Sequence, residues 1–303
     1  MLKTYGVSLL KVVRTNPTQL AVFFGRDLGA QIRSNYMSLT RQSGTKVVPL
    51  FPDITKRTRS FTFNSPGGLL NATQFTQPAL VVLELAAVAD LRSRSLVQKS
   101  AAFAGHSLGE YSALAAVGEV FSVEDAIDIA FYRGMVMQSA IDRDEQNRSQ
   151  FGMVAVDPSR VGSGFDETTL ALVVETIRTQ AQGLLEIVNY NVKGLQYVVA
   201  GSLALLAAMV SVIDRVAEQG VDVTGEVGRA AIGHIAAEAL ASTGGAPLKR
   251  GRATVPLAGI DFPFHSTQLA PGVEPFREYL LSKIDPSSPL HPQSHWSAVR
   301  GVS

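Results

Sequence analysis

The first half of the chain alternates between continuous apolar runs and apolar residues at helical spacing. Residues 1–60 predict a first helix, a polar middle and an exit that prolines interrupt. Residues 79–91 have the apolar spacing of a buried helix, which Thr76-Gln77-Pro78 opens with a proline near its first turn. The apolar run at residues 100–104 has the length of a buried strand, and residues 108–117 return to a helical period. The pattern therefore predicts a helix, a buried strand and a second helix, in that order.

A further helix is predicted from Ser122 to about Ile141. Ser122 is a favourable N-cap, and the acidic residues Glu124 and Asp125 follow it in the first turn, where they complement the helix dipole. At about 100° per residue the apolar side chains of this helix form one stripe, and Arg133 lies about 60° from its centre. This position indicates either a guanidinium at the edge of the buried face or a surface arginine whose stem covers apolar neighbours.

From residue 151 onward, short strands alternate with helices. The predicted elements are a strand at 151–156, a helix at 167–179, strands at 184–189 and 196–200, a helix at 203–218 that ends at Gly220, and a strand at 253–258. The order β-α-β-β-α-β is that of a ferredoxin-like subdomain. Residues 221–250 are predicted to form a helical, glycine-rich insertion on its surface.

Composition indicates a globular protein with a sizeable core. Of the 303 residues, 46% are hydrophobic and 17% are charged, and the formal net charge is +1, which gives no electrostatic footprint for nucleic acid or an anionic membrane. No stretch approaches the roughly 20 apolar residues of a membrane span, and the N-terminus lacks a secretory layout, so a cytoplasmic location is expected. The chain has no cysteine, which excludes disulfides, thiolate zinc sites and a cysteine nucleophile. Serine becomes the leading candidate for a nucleophile.

The pentapeptide Gly105-His106-Ser107-Leu108-Gly109 has the Gly-x-Ser-x-Gly pattern of a nucleophile elbow, in which a strand turns sharply into a helix. Because so tight a turn brings the strand and the helix together, we expect a β-carbon at Gly105 or Gly109 to clash. Ser107 is the candidate nucleophile, since the N-terminus of the following helix stabilises negative charge. The backbone N–H of Leu108 is the candidate donor to an oxyanion.

Several motifs in one order connect the chain with a known family. They are the stretch 69–80, Gly105-His106-Ser107-Leu108-Gly109-Glu110-Tyr111, Phe131-Tyr132-Arg133-Gly134-Met135, Ile187-Val188-Asn189-Tyr190-Asn191 and Pro263-Phe264-His265-Ser266. With these motifs the chain resembles the acyl-CoA:acyl-carrier-protein transacylases, most closely the malonyl/palmitoyl transferase domain of fungal-type fatty acid synthase β subunits, from about residue 6 to 284. The resemblance implies an α/β fold. It has an α/β-hydrolase-like core with a parallel sheet at residues 1–150 and 259–303, and an inserted ferredoxin-like subdomain at 151–258.

The resemblance also implies roles for individual residues. Ser107 matches the nucleophile that becomes acylated, and His265 matches the base that activates it. Arg133 matches the arginine that pairs with the malonyl carboxylate, Leu108 supplies an oxyanion N–H, and Gln77 matches a glutamine that lines the active-site region. The residue types suit these roles, because a guanidinium binds a carboxylate through two hydrogen bonds and an imidazole takes up a proton near neutral pH.

The reaction that the resemblance implies has two steps. Ser107 takes a malonyl group from CoA, and the phosphopantetheine thiol of acyl carrier protein then takes it from Ser107. No metal and no covalently bound cofactor is implied, and CoA thioesters and carrier-protein phosphopantetheine are the substrates. The implied partners are acyl carrier protein and other fatty acid synthase domains or subunits, in fatty acid or related polyketide-starter biosynthesis. Fungal-type members of the family also move long-chain acyl groups back to CoA.

The chain departs from the family pattern towards both ends. The family has a Gly-Gln-Gly-Ser-Gln segment after its first core strand, whereas none precedes Ser107, and residues 286–303 resemble an unrelated tail rich in serine and proline. We therefore expect an incomplete core with weakened catalysis, because loss of one oxyanion donor costs about 10²–10³ in turnover. Two alternatives stay open. One is a serine esterase or thioesterase with Asp261 or Asp157 as the triad acid, and the other is a non-catalytic fragment of a multidomain synthase.

Overall fold

Helices alternate with short strands in the computed structural model, which describes residues 1–98, 101–116, 120, 122–242 and 247–284. The strands are β1 (Gln19–Phe23), β2 (Thr40–Ser43), β3 (Lys46–Pro49), β4 (Ser60–Asn64), β5 (Phe151–Val156), β6 (Leu185–Val192), β7 (Gln196–Ser202) and β8 (Thr254–Pro256). The helices are α1 (Leu2–Tyr5), α2 (Leu9–Thr15), α3 (Arg26–Ser38), α4 (Thr73–Ser93), α5 (Leu108–Ala116), α6 (Val123–Ser139), α7 (Glu167–Ala181), α8 (Leu203–Gln219), α9 (Gly225–Ser242) and α10 (Val273–Lys283). None of these described helices is long and apolar enough to cross a membrane. The fold is mixed α/β, and it divides into a first unit of Met1–Ala140 with Pro271–Ser303 and a second unit of Ile141–Ala270.

Aromatic side chains form the core of the first unit. Phe75 on α4 and Phe131 on α6 are fully buried, and their rings meet edge to face with centroids 5.6 Å apart. Tyr5 and Phe63 add further rings around Phe131, at centroid distances of 5.0 and 6.0 Å. Burial of each such side chain stabilises the fold by about 1.5–3 kcal/mol. The contact between α4 and α6 is therefore a principal anchor of this unit.

Gly134 explains how closely α4 and α6 approach each other. A β-carbon at Gly134 would collide with the backbone of Thr73 and Gln74 on α4. Only glycine fits at this crossing, because any side chain would push the two backbones apart. Arg133 lies immediately before Gly134, and Gln77 lies one turn after Thr73, so this crossing brings Arg133 and Gln77 together.

The strands of the first unit form two small antiparallel pairs, β1 with β4 and β2 with β3. The predicted parallel sheet is wrong for the part of the chain that the structure describes, where every strand pair is antiparallel. The strand predicted at residues 100–104 is also not formed. Residues 101–106 are exposed and pair with no strand among the described residues, while residue 100 lies outside that set. An apolar run indicates a preference for burial, but a strand forms only where a second backbone supplies hydrogen-bond partners.

Helix α4 differs from its prediction in extent and in burial. It begins at Thr73, three residues before the predicted opening, and it contains Pro78 in its interior. Its buried side chains end at Val81, and Leu83 is 65% exposed. The apolar spacing identified a face that is suited to burial, but it carried no information about what covers that face.

A four-stranded antiparallel sheet in the order β6-β7-β5-β8 is the centre of the second unit. One face packs on α7, α8 and α9 through a core that includes Val199 and Leu206. The opposite face carries a smaller cluster in which Phe264 packs against Met153 and Ala200. The sheet therefore supports helices on one side and the segment around Phe264 on the other.

The helices of the second unit begin and end close to where the sequence predicts. Ser202 caps α8, accepting a hydrogen bond from the backbone N–H of Leu205, and Gly220 ends it with a left-handed φ of 60°. The surface excursion predicted at residues 221–250 is wrong for α9, while residues 243–246 of that range lie outside the described residues. Helix α9 buries Ile232 and Ala236 in the same core as α7 and α8. Its apolar stripe consists largely of alanine and glycine, which hid its amphipathic character in the sequence.

Candidate active site

Ser107 occupies a sharp turn immediately before α5. Its backbone is left-handed, with φ 53°, which is uncommon for a residue other than glycine. A β-carbon at Gly105 would collide with the carbonyl group of Gly109 and with the backbone nitrogen of Glu110, so the turn requires glycine there. The same prediction for Gly109 is wrong, since a β-carbon at that position meets nothing within 4 Å. The steric need for glycine in the pentapeptide lies at its first position.

Helix α5 begins at Leu108, directly after Ser107, as the pattern predicts. The backbone N–H of Gly109 donates to the carbonyl of His106 at 3.0 Å, and that of Glu110 donates to the carbonyl of Ser107 at 3.3 Å. The N–H of Leu108 belongs to the first turn of α5, where backbone donors and the positive end of the helix dipole favour an anion. Leu108 is therefore the first residue of α5, and its role as an oxyanion donor stays a prediction from the sequence.

Arg133 on α6 extends its side chain towards Ser107. Its Nη2 lies 3.4 Å from Ser107 Oγ, and its Nη1 donates to Gln77 Oε1 at 2.7 Å. The guanidinium carbon also lies 5.6 Å from the centre of the Tyr111 ring, within the range of a cation–π contact. Arg133 is half-buried, so it is not the solvent-facing arginine that its helical position alone left open. Three of the predicted residues, Ser107, Arg133 and Gln77, meet in the first unit.

Gln77 is itself held in one orientation. Its Nε2 donates to Thr73 Oγ1 at 2.8 Å and lies 3.3 Å from Met137 Sδ, which leaves Oε1 facing Arg133. Sequence reasoning missed Thr73 because it began α4 at residue 76, although Thr73 is four residues before Gln77 and on the same helical face. Tyr111 was missed as well, although it follows Ser107 by four residues in a predicted helix. The i, i+4 spacing was the signal available for both residues.

Within the described ranges, Arg133 forms no direct ion pair with a carboxylate. Burial lowers the pKa of Arg133 from its usual value, and the neighbouring Tyr111 and Glu110 oppose that change. Burial in turn raises the pKa of Tyr111, which the charge of Arg133 partly offsets. Since an arginine stays protonated in proteins, the site presents a half-buried positive charge beside a hydroxyl group.

The guanidinium of Arg133 contacts the hydroxyl of Ser107, the amide of Gln77 and the ring of Tyr111. Within the part of the chain that the structure describes, no three His, Cys, Asp or Glu side chains come together as metal ligands. The arrangement can hold an anionic group close to the Ser107 hydroxyl.

His265 belongs to the second unit, whereas Ser107 belongs to the first. It follows Phe264 in a segment between β8 and a short 3₁₀ helix at Thr267–Gly272, and its backbone is left-handed with φ 64°. Ser266 is buried, and its Oγ donates to the carbonyl of Pro263 at 2.7 Å. The pairing of His265 with Ser107 stays a prediction from the sequence.

The two acids considered for a hydrolase triad make local contacts. Both carboxylate oxygens of Asp261 accept hydrogen bonds from Arg143, at 2.5 and 3.0 Å. Asp157 accepts from the backbone N–H and the hydroxyl of Ser159, at 3.1 and 2.6 Å. Each carboxylate therefore already serves a structural contact, an ion pair for Asp261 and a turn for Asp157.

Similarity to known proteins covers almost the whole chain. Residues 1–292 match the family described as acyl transferase domain. Fatty acid synthase subunit beta of Schizosaccharomyces pombe is 46% identical over 94% of this chain and 15% of that subunit. The corresponding subunit of Saccharomyces cerevisiae is 43% identical over 93% of this chain and 14% of that subunit. The chain thus spans a small part of the length of these relatives.

Among solved structures, the chain is similar to FabD from Acinetobacter baumannii, which is 24% identical with a TM-score of 0.47, over 72% of this chain and 54% of that one. An acyl carrier protein S-malonyltransferase from Vibrio cholerae is also 24% identical, with a TM-score of 0.46, over 71% of this chain and 54% of that one. The family match rests on the sequence and extends over far more than half of the residues. The chain belongs to the acyl transferase domain family.

Proposed function

We propose that this chain transfers malonyl groups from CoA to the phosphopantetheine of acyl carrier protein through an ester on Ser107. The observation that carries the proposal is the position of Arg133, whose Nη2 lies 3.4 Å from Ser107 Oγ. A guanidinium without a carboxylate partner binds the free carboxylate of a malonyl group in two parallel hydrogen bonds. The relatives named fatty acid synthase subunit beta support the same reaction.

The proposed first step acylates Ser107. The imidazole of His265 removes the proton from Ser107 Oγ, which attacks the thioester carbonyl of malonyl-CoA. The backbone N–H of Leu108 and the dipole of α5 stabilise the oxyanion. The bond from the acyl carbon to sulfur breaks, and the CoA thiolate takes the proton from the imidazolium.

The proposed second step reverses these roles with a different thiol. The phosphopantetheine thiol gives its proton to the imidazole of His265, and its sulfur attacks the acyl carbon. The bond from the acyl carbon to Ser107 Oγ breaks, and Oγ takes the proton back. Neither step oxidises or reduces any atom, so the proposed reaction needs no redox cofactor.

Gln77 is proposed to align Arg133 for the carboxylate. Its Oε1 accepts from Nη1 of Arg133 at 2.7 Å, so it turns the guanidinium without neutralising its charge. The contacts of Arg133 with Gln77, Ser107 and Tyr111 all involve neutral groups. The guanidinium can leave these groups without breaking an ion pair, which supports transfer of uncharged long-chain acyl groups as a second activity.

The proposed setting is a larger fatty acid synthase in the cytoplasm, in which acyl carrier protein and other synthase domains are the partners. We infer that residues 1–150 and 259–303 belong to the acyltransferase core, of which residues 285–303 lie outside the described part of the chain, and that residues 151–258 form a ferredoxin-like subdomain. The sheet order β6-β7-β5-β8 supports the second inference, since it sets the first strand of the subdomain between the third and the fourth.

Intact-mass and peptide mass spectrometry after incubation with malonyl-CoA test the proposal. We expect a malonyl adduct on Ser107, its transfer to added carrier protein, and no adduct in Ser107→Ala. Ser159→Ala is a matched control on the surface of the second unit, and we expect it to acylate normally. A folded sample without an adduct would support a non-catalytic role, whereas rapid release of free malonate instead of transfer would support a hydrolase.

A further inference from the structure

The segment that carries His265 has little regular structure of its own. It connects β8 with the 3₁₀ helix at Thr267–Gly272, and His265 is exposed within it. The left-handed backbone of His265 costs about 1–2 kcal/mol for a residue with a β-carbon. Such a conformation persists only where the surroundings hold it in place. The side chains around this segment show how it is held.

One contact lies before His265 in the sequence. Arg143 donates from Nη1 and Nη2 to the two carboxylate oxygens of Asp261, and its Nη1 also donates to the carbonyl of Asn147 at 2.8 Å. The guanidinium carbon of Arg143 lies 4.8 Å from the centre of the Phe262 ring. Arg143 thus contacts two consecutive residues of the segment, through an ion pair and through the face of a ring.

A second contact lies after His265. The backbone N–H of Thr267 donates to one carboxylate oxygen of Glu186 at 2.9 Å, and its hydroxyl donates to the other at 2.5 Å. Glu186 belongs to β6, in the sheet of the same unit. Both oxygens of one carboxylate therefore bind the residue two positions beyond His265. This contact attaches the segment to a strand.

Between the two contacts the chain is anchored by packing. Phe264 contacts the cluster of Met153, Val198 and Ala200 on the sheet. The N–H and the hydroxyl of Ser266 both donate to the carbonyl of Pro263, at 3.3 and 2.7 Å. His265 is thus flanked by two anchored neighbours, which limits the directions that its side chain can take.

We propose that Glu186 and Arg143 are positioning residues for His265, and that they clamp its loop from both sides. The proposal rests on the proposed function, in which His265 is the general base. The two contacts differ in exposure: the side chain of Arg143 is 13% exposed and that of Asp261 is 43% exposed, whereas Thr267 is exposed. An exposed contact such as that of Thr267 with Glu186 contributes little to global stability, so its main effect is on the local geometry of the segment. A base displaced by about 1 Å loses up to about 10² in rate.

The test compares Glu186→Ala, Glu186→Gln and Thr267→Val with Glu175→Ala. Glu175 is the control, since its ion pair with Arg178 lies on the exposed surface of α7 in the same unit. Rapid-quench measurement of Ser107 acylation gives kcat and KM for malonyl-CoA, and thermal unfolding gives Tm. We expect Glu186→Ala to lower kcat by about 10- to 100-fold with KM nearly unchanged. Glu186→Gln should recover most of the rate, because its amide oxygen still accepts from the N–H of Thr267.

Further measurements distinguish a positioning role of Glu186 from a role in stability alone. Thr267→Val removes one hydrogen bond without a change in shape, and we expect a loss of about 3- to 10-fold with Tm within about 2 °C of the parent. Nitrogen-15 NMR of the His265 ring, assigned by comparison with His265→Ala, should show exchange broadening in Glu186→Ala but not in Glu175→Ala.

The outcomes also separate this proposal from the proposed function. Inactive His265→Ala together with fully active Glu186→Ala and Thr267→Val would overturn the clamp and leave the proposed function standing. Fully active His265→Ala would overturn the role of His265 as a base, and the positioning role with it. Glu186→Ala could also lose kcat together with a large drop in Tm, without recovery in Glu186→Gln. That result would overturn the positioning role and show that Glu186 is a structural residue.

Discussion

Ser107 and His265 both have left-handed backbones, with φ 53° and 64°, but the molecule holds them by different means. The turn at Ser107 depends on backbone packing, since Gly105 lies against the carbonyl of Gly109 at the start of α5. The segment at His265 depends on side chains, through the contacts of Glu186 and Arg143. The first arrangement is sensitive to an added atom, and the second is sensitive to a lost hydrogen bond. Substitutions can therefore test the two arrangements separately.

Gly105→Ala should have the largest effect. The added methyl group collides with backbone atoms, so the turn must shift; we expect Ser107 acylation to fall by at least about 10²-fold and stability to fall by about 1–3 kcal/mol. Gly109→Ala is the matched control. It meets nothing within 4 Å and lies in α5, so it should keep its activity and gain up to about 1 kcal/mol of stability. Equal losses in the two variants, measured by denaturant unfolding and malonyl adduct formation, would contradict the account of the turn.

Gln77→Glu should change selectivity more than overall activity. A carboxylate at this position would pair with Arg133 and neutralise the charge that the malonyl group needs. We expect the ratio of malonyl to acetyl acylation rates to fall by about tenfold or more. Gln138→Glu, on α6 and in hydrogen-bond contact with the backbone of Thr73, is the control and should leave the ratio unchanged. An unchanged ratio in Gln77→Glu would remove Gln77 from the proposed carboxylate site.

Asp261→Asn should have a moderate effect that distinguishes a clamp from a catalytic triad. The amide keeps one oxygen for Arg143, so we expect malonyl transfer to fall by about 3- to 10-fold. Loss of a triad acid would instead lower the rate by about 10⁴-fold. Asp90→Asn, which removes an exposed ion pair with Arg94, is the control for the loss of one surface charge. Steady-state rates with malonyl-CoA and carrier protein distinguish the moderate loss expected of a clamp from the far larger loss expected of a triad acid.

Thr73→Val should have the smallest effect. It removes the hydroxyl that accepts from Nε2 of Gln77, which frees the amide to rotate away from Arg133. We expect the malonyl rate to fall by about 2- to 5-fold while the acetyl rate stays constant. Thr76→Val in the same helix is the control, since the hydroxyl of Thr76 donates to the backbone carbonyls of Leu70 and Ala72. A parallel loss of both rates in Thr73→Val would indicate a general packing defect.

The sequence predicted the second unit better than the first, for a physical reason. Between residues 151 and 220 the local signals were strong, with strand-length runs, the N-cap Ser202 and the C-terminal Gly220, and the observed elements differ from the predicted ones by a few residues. Around Ser107 the apolar run at 100–104 indicated a strand, but it held no information on a partner backbone. The structure forms no strand from its described residues.

The positions of the site residues also depended on contacts that local sequence signals do not show. The helical period left Arg133 between two orientations, and the crossing of α4 and α6 at Gly134 decided between them. That crossing is a tertiary contact, which the apolar spacing of a single helix cannot predict. Glu186 gave no signal either, because its partner Thr267 lies 81 residues away in the chain.

Selection of a carboxylate by Arg133 is tested by comparing Arg133→Ala with the parent chain in single-turnover acylation of Ser107. Arg148→Ala is the control, since that arginine has a 71% exposed side chain and pairs with Asp144. We expect Arg133→Ala to lose malonyl acylation by about 10²-fold, while acetyl and long-chain acylation are kept or increased. An equal change for malonyl-CoA and acetyl-CoA would contradict the claim that Arg133 selects a carboxylate beside Ser107.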